Sequence, residues 1–323
     1  MKVNIIVSVY NEEIGIKNFC DSLFYVLDQI HNVDFEVIFV DDGSNDNTLN
    51  IIKEIKEENT TFNTQFGATL SLKRTNALIK IISFSKNFGH EAAMLAGIDE
   101  ADGDYIILMD SDLQHPVEKI IDILKEFSNN NSLDIILMKR TQNKKNSIIK
   151  NFTSKSFYYL INILSKTHFE PGVSDFFAFN NKVSTVLKND YRERVRFLRG
   201  FLQNIGFNKK IIEYEAIKRA SGKTHYNYTK LINLSVNSII SFSDLPLKLG
   251  AFVSAFSFII GFIVLIYTLC TRGNAPSGYA TIVILLCFMF AILFLIVGII
   301  GEYISILFTE IKKRPSYIIK EIY

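Results

Sequence analysis

Two carboxylates one residue apart, Asp110 and Asp112, close the apolar run Tyr105-Ile106-Ile107-Leu108-Met109. A strand that delivers paired carboxylates at its C-terminal edge suits a hard divalent cation. Mg²⁺ and Mn²⁺ take oxygen ligands and share them with substrate phosphates. A D-x-D pair also decorates solvated turns, so its neighbours decide its weight. Tyr10-Asn11-Glu12-Glu13 follows the run Val3–Val9, Asp41-Asp42-Gly43-Ser44-Asn45-Asp46 follows Phe35–Val40, and Leu113-Gln114 continues the acidic pair. Each cluster can cap a helix, and for Ser44 and Asn47 capping explains the residue as well as ligation does. Three acidic clusters on one sheet edge would repel one another unless a cation and a donor-rich ligand relieve them.

The positioning elements are legible as alternation. Strand-like runs Val3–Val9, Phe35–Val40, Lys80–Phe84, Tyr105–Met109 and Asp134–Met138 are separated by helical patterns at Glu12–Ile30, Thr48–Glu58, His90–Ala101 and Val117–Ser128. Such alternation predicts an α/β fold with a mostly parallel sheet and ligands at the strand C-terminal ends. The segment 60–77, rich in Thr, Asn and Ser, reads as a surface excursion. Asn-Glu-Glu after the first strand excludes a G-x-G-x-x-G dinucleotide site. Ser221-Gly222-Lys223-Thr224 imitates a P-loop tail, but Ile217 stands where the first glycine belongs.

Composition divides the chain in two. Its 323 residues carry 35 Lys+Arg against 33 Asp+Glu, a net charge of +2 that argues against a nucleic-acid partner. The runs 249–270 and 279–300 hold no charged residue, and about 22 apolar residues suffice to cross a bilayer as a helix. The linker Thr271–Gly278 is turn chemistry, so the runs predict a transmembrane hairpin within 247–308. Lys218, Arg219, Lys223, Lys230 and Lys248 precede it, Lys312, Lys313 and Arg314 follow, and the linker carries only Arg272. The positive-inside rule then puts residues 1–225 and the tail 309–323 in the cytoplasm. The stretch 226–246, with Leu231, Leu234, Val236, Ile239 and Ile240 at helical spacing, reads as an interfacial helix or a packing helix. No apolar h-region of a signal peptide is evident near Met1. Cys20, Cys270 and Cys287 form no disulfide or zinc pattern, and the five histidines form no metal-spaced pair.

Read in order, the motifs resemble the membrane-anchored family 2 glycosyltransferases that load a sugar onto polyprenyl phosphate, including bactoprenol glucosyltransferases and dolichol-phosphate mannose synthases. The resemblance rests on Val7–Glu13, Val40–Ser44, Lys86–Ala93, Gly103-Asp104, Met109–Pro116, Arg196–Gly200, Gly301-Glu302-Tyr303 and Arg314-Pro315. It implies a GT-A, Rossmann-like nucleotide-diphospho-sugar domain and inversion at the anomeric carbon. Tyr10, Glu12, Asp41, Asp42 and Ser111 would bind the donor. Asp110, Asp112 and Gln114 would serve the metal–diphosphate, Asp110 and Asp112 as ligands of Mg²⁺ or Mn²⁺. Arg140, Ser154, Arg199, Arg219 and Lys223 would receive the lipid phosphate.

The chain also departs from that pattern. Ser8 stands where the family often has proline, Asp175-Phe176-Phe177 where it often has Asp-Phe-Arg, and Gln203-Asn204 in a stretch where it often has tryptophan. The implied reaction is transfer of a sugar, on the resemblance glucose from UDP-glucose, to undecaprenyl phosphate at the cytoplasmic membrane face for cell-envelope glycan modification. The sugar, the metal and any homo-oligomer stay open. Two competing readings are a processive polysaccharide synthase, which lacks its Q-x-x-R-W motif here, and a non-catalytic nucleotide-sugar-binding membrane subunit.

Overall fold

Apolar runs rich in Val, Ile and Phe alternate with amphipathic helices, and the computed structural model folds them into one sheet. It describes residues 1–61, 75–141, 162, 169–193, 197–215, scattered positions between 250 and 266, and 278–323. The strands are β1 (Lys2–Val9), β2 (Asp34–Asp41), β3 (Leu78–Phe84), β4 (Tyr105–Asp110), β5 (Ile135–Thr141), β6 (Val173–Asn180), β7 (Lys209–Glu215) and β8 (Ile319–Ile322). Their order is β7-β5-β6-β4-β1-β2-β3-β8. The pairs β1–β2, β1–β4, β2–β3 and β5–β7 are parallel, whereas β6 and β8 run antiparallel to their neighbours. Central β1 is buried on both faces from Val3 to Val9, as expected for a strand covered by helices on each side.

Helices α1 (Ile16–Asp28), α2 (Thr48–Thr61), α3 (His90–Glu100) and α4 (Lys119–Asn129) cover the sheet, joined by α5 (Asn181–Asn189) and α6 (Leu198–Asn204). Helix α1 buries Ile16, Phe19, Cys20, Leu23, Phe24 and Leu27, and α4 buries Ile120, Ile123, Leu124 and Phe127. These apolar stripes recur every three or four residues, which is why amphipathic spacing found the helices. Helix α3 differs: Ala92, Ala93, Ala96 and Gly97 are buried, so it lies close against the sheet. A Cβ on Gly97 would sit 2.2 Å from Ile6 Cγ2.

The chain divides into two compact units. One holds residues 1–159, 167–226 and 314–323; the other holds 160–166 and 227–313. In the second unit, α7 runs from Tyr279 to Ile311, 33 residues, or roughly 50 Å at 1.5 Å per residue. The helix runs on past the charge-free stretch 279–300. Glu302 and Tyr303 are good or tolerable helix residues, and the helix stops only at Lys313, whose φ of 46° is left-handed, shortly before Pro315. Within α7, Phe288–Ile311 is long and apolar enough to cross a membrane, and Phe288, Phe294, Leu295 and Ile304 are exposed in the manner of lipid-facing side chains. The first apolar run is helical at each of its described positions. The interfacial stretch 226–246 lies outside the described residues.

Residues 314–323, expected as a tail, add a strand to the first unit. Strand β8 pairs with β3, and Tyr323 and Ile81 exchange backbone hydrogen bonds of 2.8 and 3.0 Å. Tyr317 stacks on Phe84 at 5.2 Å and donates a 2.5 Å hydrogen bond to Asp99, which Arg192 also grips with two bonds. Burial, helped by Asp99, pushes the Tyr317 hydroxyl pKa up.

Replacing Gly97 by Ala forces Ile6 or α3 to move. We expect a loss on the order of 1–3 kcal/mol, read as a lower thermal midpoint of the solubilised protein, with donor affinity little changed.

Candidate active site

Parallel pairing sets the site. Ser8 lies opposite both Val40 and Asp110, and Asp41 lies opposite Val9 and Ser83, so β1, β2 and β4 end together. The loops after β1 and β2 are then bonded to each other. The Asn11 amide donates to Ser44 Oγ (3.0 Å), the Asn45 amide to Asn11 Oδ1 (2.9 Å), and the Glu12 amide to Thr48 Oγ1 (2.8 Å). The Glu13 amide donates to Asp46 Oδ2, and the Asn47 amide to Glu13 Oε2. Asn11 accepts a left-handed φ of 54°, which asparagine tolerates better than most residues. Tyr10 remains exposed and Glu12 half-buried beside this double loop.

The two aspartates at the end of β2 are buried and separately employed. Asp41 accepts from the Ser44 amide (3.1 Å) and the Ser83 hydroxyl (3.3 Å). Asp42 accepts from the amides of Phe88 (2.7 Å) and Gly89 (2.9 and 3.2 Å). Burial raises the Asp42 carboxyl pKa, and those two amides oppose the rise. Gly43 makes the crossing feasible: its φ is +69°, and a Cβ there would lie 2.5 Å from the Lys86 carbonyl carbon. Asp42 thus fastens the segment 86–89 that launches α3.

At the end of β4, Asp110 is 30 % exposed and lies between two imidazoles. Its own amide donates to His115 Nδ1 (3.0 Å), leaving Nε2 to carry the proton of a neutral ring. His115 is 2 % exposed, stacked on Phe176 at 5.2 Å, and burial lowers its pKa against the pull of Asp110 and Asp112. On the other side His90 Nε2 is 3.3 Å from Asp110 Oδ1 and 3.8 Å from Asp175 Oδ2. Burial would lower the His90 pKa, but Asp110, Asp175 and Glu91 outweigh it and the net shift is upward. Asp112 Oδ1 accepts from the Gln114 amide (3.0 Å), across Leu113 at φ 59°.

The cationic side meets this cluster directly. Arg140, at the end of β5, donates to Gln114 Oε1 (3.1 Å). Arg199, in the first turn of α6, is 2.9 Å from Asp175 and donates to the Val173 carbonyl. Burial would raise the Asp175 carboxyl, yet Arg199, then His90, His115 and Arg140, hold it below the usual range. Glu91 accepts from the Leu198 amide (3.1 Å), so the first turn of α3 holds the start of α6. Burial, then Asp175, raises the Glu91 pKa. Gln203 fills the stretch that lacks tryptophan: its Oε1 accepts from the Glu170 amide (2.7 Å) and its Nε2 donates to the Arg199 carbonyl (3.2 Å). Phe177 is fully buried and stacks on Phe179, so apolar packing occupies the position where the family often has arginine.

The structure therefore places Asp112, Gln114 and Arg140 in one chain of contacts and Asp110 and Arg199 in another, through His90 and Asp175. Ser111 is 3 % exposed and its hydroxyl donates to the Ser8 carbonyl (3.4 Å). Ser154, Arg219 and Lys223 lie outside the described residues. Lys209 and Lys210, read as surface cations near a lipid leaflet, sit on β7 and bond to the Gln203 carbonyl and to Glu126. Sequence reasoning passed over His90, Glu91, His115 and Asp175. The signal for His90 was its place directly after Asn87-Phe88-Gly89, at the start of a helix following a strand end.

A mixed, mostly parallel sheet with acidic loops at its strand ends is the frame of a GT-A glycosyltransferase domain. Residues 4–186 match the model of glycosyl transferase family 2, and residues 245–307 match the GtrB C-terminal hairpin. This chain belongs to glycosyl transferase family 2 and carries a membrane-associating hairpin. It is 34 % identical to a putative glycosyltransferase, CsbB, of Bacillus subtilis, covering 99 % of this chain and 91 % of that protein. It is 33 % identical to a prophage bactoprenol glucosyl transferase homolog of Escherichia coli (100 % and 99 % covered). The bactoprenol glucosyl transferase of Shigella phage SfII is likewise 33 % identical (99 % and 98 %).

Exchanging Asp42 for Asn puts an amide donor against the Phe88 and Gly89 amides. We expect faster hydrogen exchange at residues 86–89 by mass spectrometry and a stability loss of about 1–3 kcal/mol.

Proposed function

We propose that this chain transfers a sugar from a nucleotide diphosphate, glucose from UDP-glucose as the leading candidate, to polyprenyl phosphate, with inversion at the anomeric carbon. The observation that carries this is a pair of contact chains leading from the Asp110–Asp112 pair to arginines: Asp112–Gln114–Arg140 through hydrogen bonds, and Asp110–His90–Asp175–Arg199 through ion pairs, in a chain with a membrane hairpin. The names of the bactoprenol glucosyl transferase relatives favour the same acceptor class. Both the hairpin and the charge asymmetry of its flanks support a multi-pass protein with its catalytic unit and both flanks on the cytoplasmic side.

The donor side falls to Tyr10, Glu12, Asp41 and Asp42 for base and ribose. Asp110 and Asp112 would hold Mg²⁺ or Mn²⁺, and two carboxylates are the usual protein share when phosphate oxygens complete the shell. When bound, that ion supplies Lewis-acid neutralisation of the departing nucleoside diphosphate. Gln114, tied to Arg140, fixes the turn that carries Asp112.

A phosphate monoester is already anionic at pH 7, so its attack needs no strong general base. The work left to the protein is positioning and charge stabilisation. Arg199 suits this task because a guanidinium forks onto phosphate oxygens. Asp175 holds that guanidinium in place until an acceptor phosphate competes for it. Arg140, Arg219, Lys223 and Ser154 complete the proposed acceptor side.

Membranes containing the protein, given labelled UDP-glucose, should yield organic-extractable lipid monosaccharide; absence of such a product with every UDP-sugar tried would defeat the proposal. In that assay Asp112→Asn should abolish transfer while the protein stays folded and membrane-bound, since the amide keeps the shape but loses the charge. Retention of turnover within about tenfold of wild type would remove Asp112 as a ligand. Arg199→Ala should raise KM for polyprenyl phosphate or lower kcat by on the order of tenfold or more, with nucleotide affinity nearly unchanged. Collapse of nucleotide binding instead would move Arg199 to the donor side.

A further inference from the structure

Ser8 and Asp110 are register partners on adjacent parallel strands, and their side chains meet through a third residue. The Ser8 hydroxyl lies 2.8 Å from His90 Nδ1, and His90 Nε2 lies 3.3 Å from Asp110 Oδ1. Ser8 is 8 % exposed, so its hydroxyl is held by the fold. The ring is also anchored from behind: Asp42 binds the Phe88 and Gly89 amides just before His90. We infer that Ser8 and His90 are positioning residues that aim Asp110 at the cation, a second layer behind the ligand pair. This inference rests on the proposal that Asp110 binds a divalent ion.

Physical reasons favour this role over that of a plain helix-start residue. With Nε2 facing Asp110 and Asp175, a proton belongs on that nitrogen. In a neutral ring the Ser8 hydroxyl donates to Nδ1, and in a charged ring it accepts, so the ring keeps one orientation in both states. Asp110 is also fixed from below by His115. A carboxylate bracketed in this way loses little rotamer freedom when it binds an ion. Partners of this kind behind a metal ligand are worth about 10–100-fold in metal affinity. Ser8 touches neither the ion nor the donor, so its contribution passes wholly through His90.

The test uses the full-length protein in detergent micelles, with Mn²⁺ binding to the UDP-loaded form followed by electron paramagnetic resonance. Thermal midpoints in metal-free buffer report folding separately. Expected is a rise of about 10–100-fold in the Mn²⁺ dissociation constant for His90→Ala, with a smaller rise for Ser8→Ala and near wild-type binding for Ser8→Thr. His90→Gln, which keeps a donor near the Nε2 position, should retain most of the affinity. The double variant Ser8→Ala/His90→Ala should bind no worse than His90→Ala alone, because residues acting through one contact are non-additive. Binding by His90→Ala within about threefold of wild type, far short of that range, overturns the inference, as do additive losses in the double variant. Should His90→Ala fail to fold, the contrast between Ser8→Ala and Ser8→Thr decides, and equal affinities overturn it. If wild type binds no Mn²⁺, or Asp110→Asn leaves binding unchanged, the proposed metal site itself has failed and the inference falls with it.

Discussion

Crowding of negative charge at one sheet edge is the constraint on which the rest of this structure depends. Parallel pairing makes β1, β2 and β4 end side by side, and each strand end delivers carboxylates. Two like charges 4 Å apart cost about 4 kcal/mol at an effective dielectric near 20. The fold answers by giving each acid its own partner. Asp42 takes two backbone amides, Asp41 a hydroxyl and an amide, and Asp175 an arginine. Asp110 and Asp112 are both half-buried, at the rim of this cluster.

The same arrangement explains why cations and acids cannot be assigned separately here. Arg199 reaches the cluster only because Glu91 grips the start of α6 and Gln203 bonds its carbonyl. Glu91 and His90 are adjacent residues of one helix, itself fastened by Asp42 through a glycine that tolerates no side chain. One short segment, 86–91, thus orients a carboxylate on one side and an arginine-bearing helix on the other. The acidic and cationic sides of the cluster share a mechanical support, so a change in the loop after β2 reaches both.

Much of this was legible because strands of a covered parallel sheet are written as uninterrupted apolar runs. The five early strands and the helices between them were read within a few residues. What escaped reading depends on contacts distant in sequence. Strand β7 begins with two lysines and reads as surface, yet it pairs with β5 through a register only the fold supplies. Strand β8 is four residues long, too short for periodicity to mark it. Asp175 and Arg199 belong together only after β6 turns antiparallel between β4 and β5. The burial of Ser111 between two half-buried aspartates was not legible from the motif alone. The second apolar helix outran its charge-free stretch because a glutamate and a tyrosine do not stop a helix, whereas Lys313 and Pro315 do.

Strand β8 has a consequence for the order in which the molecule is made. It closes the outer edge of β3, yet the ribosome adds it more than two hundred residues after β3, beyond both apolar runs. At about 5–20 residues per second, that edge stays open for on the order of ten seconds or more during synthesis. An unpaired strand edge is a template for wrong partners. Leu78 and Lys80, at the start of β3, are polar or exposed rather than sealed, and Lys80 holds Glu100. Completion of the enzyme's sheet is therefore a late event, timed by passage of the hairpin, and a chain released before residue 317 would leave Phe84 without Tyr317 stacked on it and without the strand that follows.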